Sequence, residues 1–454
     1  MKLFDWQILQ QEDGYASVEF LLEYENWLIN PKIPEEIRVS KTFLCLDVRV
    51  VEEDTGKTVV DWQKTENLGN GFCKCIITDI PKGGLYFIER RCHFVENGVD
   101  RYYPAIRVVS HIGVGDVYLI TGQSNAAGVG LGIMHEKSEI GVHAFKQKSF
   151  YKQQYWDIAT HPLTGNCEFA SSPFLEFGKY LHRKLGYPIG LIPRAVGGTY
   201  LKQWIPGGNL FEDLKEEVNE YEFKVKGIIW YQGCNEAMEN DTEGYFDNFK
   251  LYVQEIRNLF KNPDLPIFTF QLNRHLKECN ALLSSPGFSL IREIQRTVPQ
   301  MINNTYVIPT IDAKMMSDDI HNSRAANIVL GTRLAEIMID EVYYLEKSAK
   351  VPDILSAVQT SPCEVSLTFS NVSSNLYAYQ VLGDNLPIEL EDKKGTVGIS
   401  EYTINKDTIN IKYCREILGE AYVSGMSGNA PFNIIIDHQT QMPVLSFYKV
   451  RVTK

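Results

Sequence analysis

The sequence predicts an α/β fold: a parallel sheet covered by helices on both faces, with an all-β region before it and another after it. Three observations predict this. Between about Gly113 and Leu345, short apolar runs alternate with helical periodicity. The first 110 or so residues, and those after Pro352, are β-branched and aromatic runs cut by Gly, Asn and Asp turns. A chain of 454 residues is long enough for two to four domains at about 150 residues each. The expected units are 1–112, 113–347 and 351–454.

In the first unit, Tyr24 to Trp27, Phe43 to Val51, Cys73 to Ile80 and Tyr86 to Phe94 are strand candidates. Gly56, Gly69, Gly71, Gly83 and Gly84 supply the turns between them, and no amphipathic helix of useful length interrupts the pattern. In the second unit the apolar runs are Asp116–Ile120, Ile189–Arg194, Lys226–Tyr231, Ile267–Leu272 and Tyr306–Ile311. Near-continuous hydrophobicity of this kind suits parallel strands buried on both faces. Phe174, Phe177, Leu181 and Leu185 recur at helical steps, as do Tyr245, Phe249, Tyr252, Val253, Ile256 and Phe260. Pro286 to Val298 and Ala325 to Tyr343 carry the same periodicity. Alternating strands and helices imply a three-layer α/β/α core around a five-stranded parallel sheet. In the third unit, Ser366–Phe369, Leu376–Val381, Tyr402–Ile404, Ile409–Tyr413, Asn433–Ile436 and Val444–Val452 read as strands.

Composition narrows the function. Hydrophobic residues are 44% and charged residues 22% of the chain, which excludes a disordered or fibrous protein. Lys plus Arg is 45 against 57 Asp plus Glu, a net charge of −12. That balance argues against a nucleic-acid partner and against an anionic membrane surface. No apolar stretch approaches the roughly 20 residues of a membrane span. The opening residues Met1 to Trp6 lack the apolar core of a secretory signal, so the expected location is cytoplasmic. The 9 cysteines include no C-x-x-C pair, so neither a disulfide framework nor a zinc module is expected. Cys73 and Cys75 would share a strand face and read as ordinary thiols. Whether the chain forms a homo-oligomer stays open.

Ligands of open α/β sheets bind beyond the carboxyl ends of the strands, so the residues following each strand carry the chemistry. Gly122-Gln123-Ser124-Asn125 follows the first strand. It presents a serine where a hydroxyl can leave the sheet, although a simple N-cap is the plainer reading of that serine alone. Arg194-Ala195-Val196-Gly197-Gly198-Thr199 follows the second, and paired glycines let backbone N–H groups approach an oxyanion. Gln232-Gly233-Cys234-Asn235-Glu236 follows the third, where Asn235 offers an N–H₂ donor. Cys234 has no neighbouring histidine and is a poor nucleophile candidate. Asp318-x-x-His321 follows the fifth, a spacing that lets a carboxylate orient an imidazole and leave its other nitrogen for a serine. Each feature alone has a bland explanation. All four on one sheet edge supply nucleophile, base, orienting acid and oxyanion donors, the full set for acyl transfer.

These residues resemble the SGNH-hydrolase superfamily, a flavodoxin-like α/β/α fold, and within it the sialate O-acetylesterase family of carbohydrate esterases. The matching segments are Gly115-Asp116-Val117-Tyr118 with Gly122-Gln123-Ser124-Asn125, Val196-Gly197-Gly198-Thr199 with Trp204, and Trp230 to Ala237. Asp318-Asp319-Ile320-His321 and Gly331 to Ala335 complete them. The resemblance spans about 113–345. It implies Ser124 as nucleophile, His321 as base and Asp318 as its orienting acid. The implied oxyanion donors are the Ser124 and Gly197 N–H groups and the Asn235 side chain, with Gly198 and Gln232 as alternatives. Ala126 stands where the family usually has Met, and Gly233-Cys234-Asn235-Glu236 departs from the usual third block. Substrate contacts are expected from Gln123, Gln232 and Trp204, and from Arg194 and Arg274 with His275, which could meet a sugar carboxylate. The implied activity is removal of O-acetyl groups from a small-molecule or oligosaccharide substrate, with no metal and no organic cofactor. The competing readings are a non-catalytic carbohydrate-binding protein and a short-chain lipase or thioesterase.

Overall fold

The computed structural model describes residues 2–24, 41–133, 135–148, 153–164, 170–276, 286–345, 350–380 and 385–454. The expected strand at Tyr24–Trp27 beyond its first residue, and the last residue of the one at Leu376–Val381, lie outside the described residues. The N-terminal strands are β1 (Ile8–Gln10), β2 (Tyr15–Glu23), β3 (Lys41–Glu52), β4 (Thr58–Lys64), β5 (Glu66–Gly69), β6 (Phe72–Pro81), β7 (Gly83–Glu96) and β8 (Val99–Tyr102). In β2, Ala16, Val18, Phe20 and Leu22 alternate strictly with exposed residues, the period of a strand with one face in a core. That core is their own: with Leu46, Val48, Ile77, Ile88 and Ile112 they form a cluster separate from the central one.

The central sheet begins with β9 (Ile106–Gly122), a strand of 17 residues. Its first half pairs antiparallel with β7, and its second half enters the parallel sheet. The chain therefore crosses the expected boundary at residue 112 inside one strand, with no linker. The sheet continues with β10 (Val142–Lys148), β11 (Gln153–Ile158), β12 (Ile189–Pro193), β13 (Gly227–Tyr231), β14 (Ile267–Phe270) and β15 (Thr305–Ile308). The order is β11-β10-β12-β9-β13-β14-β15. All neighbours from β10 to β15 are parallel, and β11 is antiparallel at the edge. The expectation of five parallel strands is thus corrected to six. The additional one, β10, escapes sequence reading because His143, Lys146 and Gln147 interrupt its apolar run.

Seven α-helices accompany the sheet among the described residues: α1 (Ser124–Ala127), α2 (Phe174–Leu185), α3 (Asn209–Tyr221), α4 (Cys234–Glu239), α5 (Tyr245–Leu259), α6 (Gly287–Met301) and α7 (Arg324–Glu341). They cover both faces, as alternation along β9 shows. Tyr118 packs edge-to-face on Phe177 of α2, whereas Thr121, three residues on, bonds the Tyr252 hydroxyl of α5 at 2.7 Å. An odd separation on a strand puts the two helices on opposite faces. On one face α2 and α7 approach closely at Gly331, where a Cβ would lie 2.2 Å from the Pro173 carbonyl oxygen. The Ser323 hydroxyl caps α7 by accepting from the Ala326 N–H. Burying side chains such as Phe177 and Tyr252 in this layer stabilises the fold by about 1.5–3 kcal/mol each.

Beyond Pro352 the described chain is again β, from Asp353–Ser361 to Phe447–Arg451. Val365, Leu367 and Phe369 face a third core cluster with Leu390, Ile411 and Val423. The strands Ile388–Asp392 and Ala421–Gly425, absent from the sequence reading, pair with each other.

Candidate active site

The site is built where β9 stops. Gly122 has φ +123°, and a Cβ there would meet the Tyr231 carbonyl oxygen at 2.3 Å, so only glycine lets β9 and β13 meet this closely. The Gln123 N–H donates to that carbonyl at 2.9 Å, the chain turns off the sheet, and Ser124 opens the single turn of α1, half-buried. The loop after β15 returns His321 to the same place. His321 Nε2 lies 2.9 Å from Ser124 Oγ, and His321 Nδ1 lies 2.7 Å from Asp318 Oδ2. The second carboxylate oxygen of Asp318 accepts from the His321 and Ile320 N–H groups. Burial alone would raise the Asp318 carboxyl. The hydrogen bonds from the His321 ring and from the two backbone N–H groups outweigh that and hold its pKa below the usual carboxylate value.

Sequence reading missed what joins these two segments. Asn125, 4% exposed, accepts from the Asn322 N–H at 3.0 Å and donates to the Ile320 carbonyl at 3.4 Å. It thereby ties the residue after Ser124 to both neighbours of His321. Asn322 in turn donates to the Tyr231 hydroxyl and accepts from Asn273. The signal available was the amide immediately behind the serine.

The other strand ends converge on Ser124. Val196 N–H donates to the Gly122 carbonyl, and a Cβ placed on Gly197 would lie 3.6 Å from the Ser124 Cβ. Asn235 Nδ2 donates to the Gly198 carbonyl at 2.9 Å, which brings that amide to the same turn. Its Oδ1 accepts from Gln123 Nε2 at 3.3 Å. Gln123 Oε1 meanwhile accepts from the Gly233 and Cys234 N–H groups at 3.0 Å each. Gln123 is 2% exposed, so this side chain orients Asn235 instead of meeting substrate.

Most of the residues expected to meet substrate are held by partners within the protein. Gln232 is fully buried and cross-links the Thr199 carbonyl to the Glu236 carboxylate, so it does not face the serine. Arg194 is held by Glu217, by the Pro193 carbonyl and over the Phe145 ring. Trp204 is 1% exposed, bonds Thr199 through its ring N–H and packs edge-to-face on Trp230. His275 is buried and stacked on Phe288. Arg274 donates to the Ala313 carbonyl from a half-buried position. Burial pushes the Cys234 thiol up to about 12, which suits a packing role. Among the described residues, no group of three His, Cys, Asp or Glu ligand atoms gathers at this edge, and no helix is long and apolar enough to cross a membrane.

A serine hydroxyl, an imidazole and a carboxylate in hydrogen-bonded series, with amide donors beside the hydroxyl, are the parts of a hydrolase. Residues 114–340, half of the chain, match the family described as carbohydrate esterase, sialic acid-specific acetylesterase. The chain belongs to that family. It is 26% identical over 193 residues to a "Probable carbohydrate esterase" of Arabidopsis thaliana, covering 40% of this chain and 70% of the plant protein. It is 25% identical over 224 residues to the human sialate O-acetylesterase, covering 39% of this chain and 43% of the human protein. The chain thus spans less than half the length of that animal relative. A crystal structure of a carbohydrate acetylesterase from Xanthomonas citri shares the fold over 98% of this chain and 97% of its own, with a TM-score of 0.68 at 19% identity.

Proposed function

We propose that the protein is a serine esterase of the SGNH-hydrolase type, with a flavodoxin-like core, that removes O-acetyl groups from carbohydrates. The observation that carries the reading is the Asp318–His321–Ser124 series, held at the sheet edge inside the segment that matches the acetylesterase family. In this reading Ser124 Oγ attacks the acetyl carbonyl carbon while His321 Nε2 accepts its proton. The carbonyl oxygen becomes an oxyanion facing the Ser124 and Gly197 N–H groups and the Asn235 Nδ2 amide. The C–O bond to the sugar breaks, and His321 gives its proton to the departing hydroxyl oxygen. Water then attacks the acetyl-serine with His321 again as base, releasing acetate and restoring Ser124. Asp318 holds the Nδ1–H throughout and supports the positive imidazolium.

The substrate class is an O-acetylated sialic acid or an acetylated oligosaccharide. The ion pair that holds Arg194 on Glu217 and the burial of Trp204 take away two of the contacts that would have favoured one acidic sugar. Acetate release from acetylated sialosides, xylo-oligosaccharides and manno-oligosaccharides, followed by mass spectrometry, tests the reading. Activity on at least one sugar ester, abolished in Ser124→Ala, is the expected result. A marked preference for acyl chains of eight or more carbons on simple esters would replace it with a lipase or thioesterase.

A further inference from the structure

The N-terminal sheet gathers three ligand types that sequence spacing keeps far apart. Cys45 and Asp47 are two residues apart on β3 and share a strand face, and His93 is the register partner of Cys45 on β7. The register shifts between Phe43 and Cys45, an irregularity that re-aims a side chain. All three residues are buried, at 8%, 2% and 3% exposure. Cys45 Sγ lies 3.7 Å from His93 Nδ1 and 3.7 Å from Asp47 Oδ1, and the three ligand atoms lie within 4.8 Å of one another. Around a tetrahedral zinc, sulfur at about 2.3 Å and nitrogen or oxygen at about 2.1 Å stand about 3.6 Å apart. The two sulfur distances of 3.7 Å match that edge length.

The groups behind these ligands are arranged for the same task. His93 Nε2 is 2.7 Å from Asp100 Oδ1 of β8. A carboxylate can only accept, so Nε2 carries the hydrogen and Nδ1 of the neutral ring keeps its lone pair toward Cys45. A carboxylate behind a ligating imidazole is the usual outer partner of a metal-bound histidine. The Tyr102 ring stacks on the His93 ring at 4.6 Å and fixes its plane. Arg91 takes the far oxygen of Asp47 at 2.9 Å and leaves Oδ1 facing the sulfur. With a divalent ion bound, the thiolate, Asp47 and Asp100 would carry three negative charges against three positive from the ion and Arg91.

We infer that Cys45, Asp47 and His93 form a site for a borderline-soft divalent metal of the zinc class, outside the esterase centre. Binding forms a metal–sulfur bond, breaks the Cys45 S–H bond and releases that proton to solvent. Sequence spacing conceals the site, because ligands at 45, 47 and 93 lack the closely spaced pairs of a zinc module.

The test uses the full-length protein stripped by a chelator and titrated with cobalt(II) alone. Saturation at one equivalent is expected, with a near-ultraviolet thiolate-to-cobalt band and the visible bands of a tetrahedral site, and zinc should displace the cobalt. Zinc should also raise the Tm of the stripped protein. Cys45→Ser should lose the thiolate band. Asp100→Asn, at an exposed strand position, should keep the band and bind about 10–100-fold more weakly. Ser124→Ala should bind as wild type. Wild-type protein that shows no thiolate band, or a band that survives in Cys45→Ser, overturns the inference. The wild-type titration decides the matter even where the serine variant fails to fold.

Discussion

His321 Nε2 sits 2.9 Å from Ser124 Oγ although 197 residues separate the two in the chain. Ser124→Ala is therefore expected to lower kcat on p-nitrophenyl acetate by about 10⁴-fold or more, and His321→Ala by a similar factor. Removing one half-buried hydroxyl should leave Tm nearly unchanged. A fluorophosphonate should add one equivalent of mass to the wild type and none to Ser124→Ala. A full adduct on the alanine variant would place the nucleophile elsewhere.

Asp318→Asn replaces an acceptor-only group with one that can present an N–H to the imidazole and favour the wrong tautomer. Its kcat should fall by about 10²–10⁴-fold at neutral pH. The carboxyl pKa is depressed in the folded protein, so its charge is present above the ordinary carboxylate range and lost only as pH falls through the lowered value. The Asp318 carboxylate is thus charged throughout the range above the ordinary carboxylate value, and Asp318→Asn should stay impaired at pH 6 as at pH 8. A variant that turns over as fast as wild type at pH 8 contradicts this assignment.

Asn235 and Gln232 follow the same strand, yet Asn235 bonds Gln123, the residue before Ser124, whereas Gln232 bonds the Thr199 carbonyl and Glu236. Asn235→Ala should cost about 10²–10³-fold in kcat, roughly 3–4 kcal/mol, with little change in KM. Gln232→Ala should instead lower stability by about 1–3 kcal/mol, because the buried Thr199 carbonyl and the Glu236 carboxylate lose a donor. Chemical denaturation beside steady-state kinetics separates the two. The reverse pattern would make Gln232 the oxyanion donor.

Strand ends were legible because parallel strands buried on both faces leave unbroken apolar runs, and the residues after them fall on one edge. The direction of each side chain was not. Arg194 and Trp204 both follow the second of those strand ends, but Glu217 holds the arginine and Trp204 packs against Trp230. The strand β10 was hidden for a related reason. His143 is accommodated by the Trp6 carbonyl, 137 residues away, and Lys146 by the Ile158 carbonyl on the antiparallel edge strand. Such partners exist only once the sheet is assembled, so polar residues that look like interruptions become interior. The Cys45–His93 pairing was hidden in the same way by strand register.

In the C-terminal region, the two terminal Arg415 nitrogens hold Asp392, which also accepts from the Lys394 and Leu418 N–H groups. The Arg415 hydrogen bonds, with those backbone donors, push its carboxyl far below the usual range. A depressed carboxyl stabilises the fold above its unfolded pKa, and that contribution disappears as pH falls through the folded value. Asp392→Asn should therefore lower Tm at pH 7. The gap should narrow below about pH 4 and close in stronger acid. Equal Tm values at pH 7 would mean the pair adds nothing.

Asn125 is the residue whose loss should separate positioning from folding. It bonds the Asn322 N–H at 3.0 Å and the Ile320 carbonyl at 3.4 Å, on either side of His321, while its own backbone carries Ser124. Asn125→Ala frees the His321 loop from the Ser124 turn, and displacements of about 1 Å can cost 10²-fold in rate. The expected result is a kcat about 10²-fold lower with KM unchanged, and fluorophosphonate labelling slowed by a similar factor. Stability should fall by about 1–3 kcal/mol, since the buried Asn322 N–H and the half-buried Ile320 carbonyl lose their partner. Asn125→Asp keeps the acceptor for the shorter bond and loses only the donor for the longer one, so it should recover part of the rate. If Asn125→Ala lowers Tm by that amount yet labels and turns over as wild type, the amide serves folding alone and His321 is held by Asp318 without it.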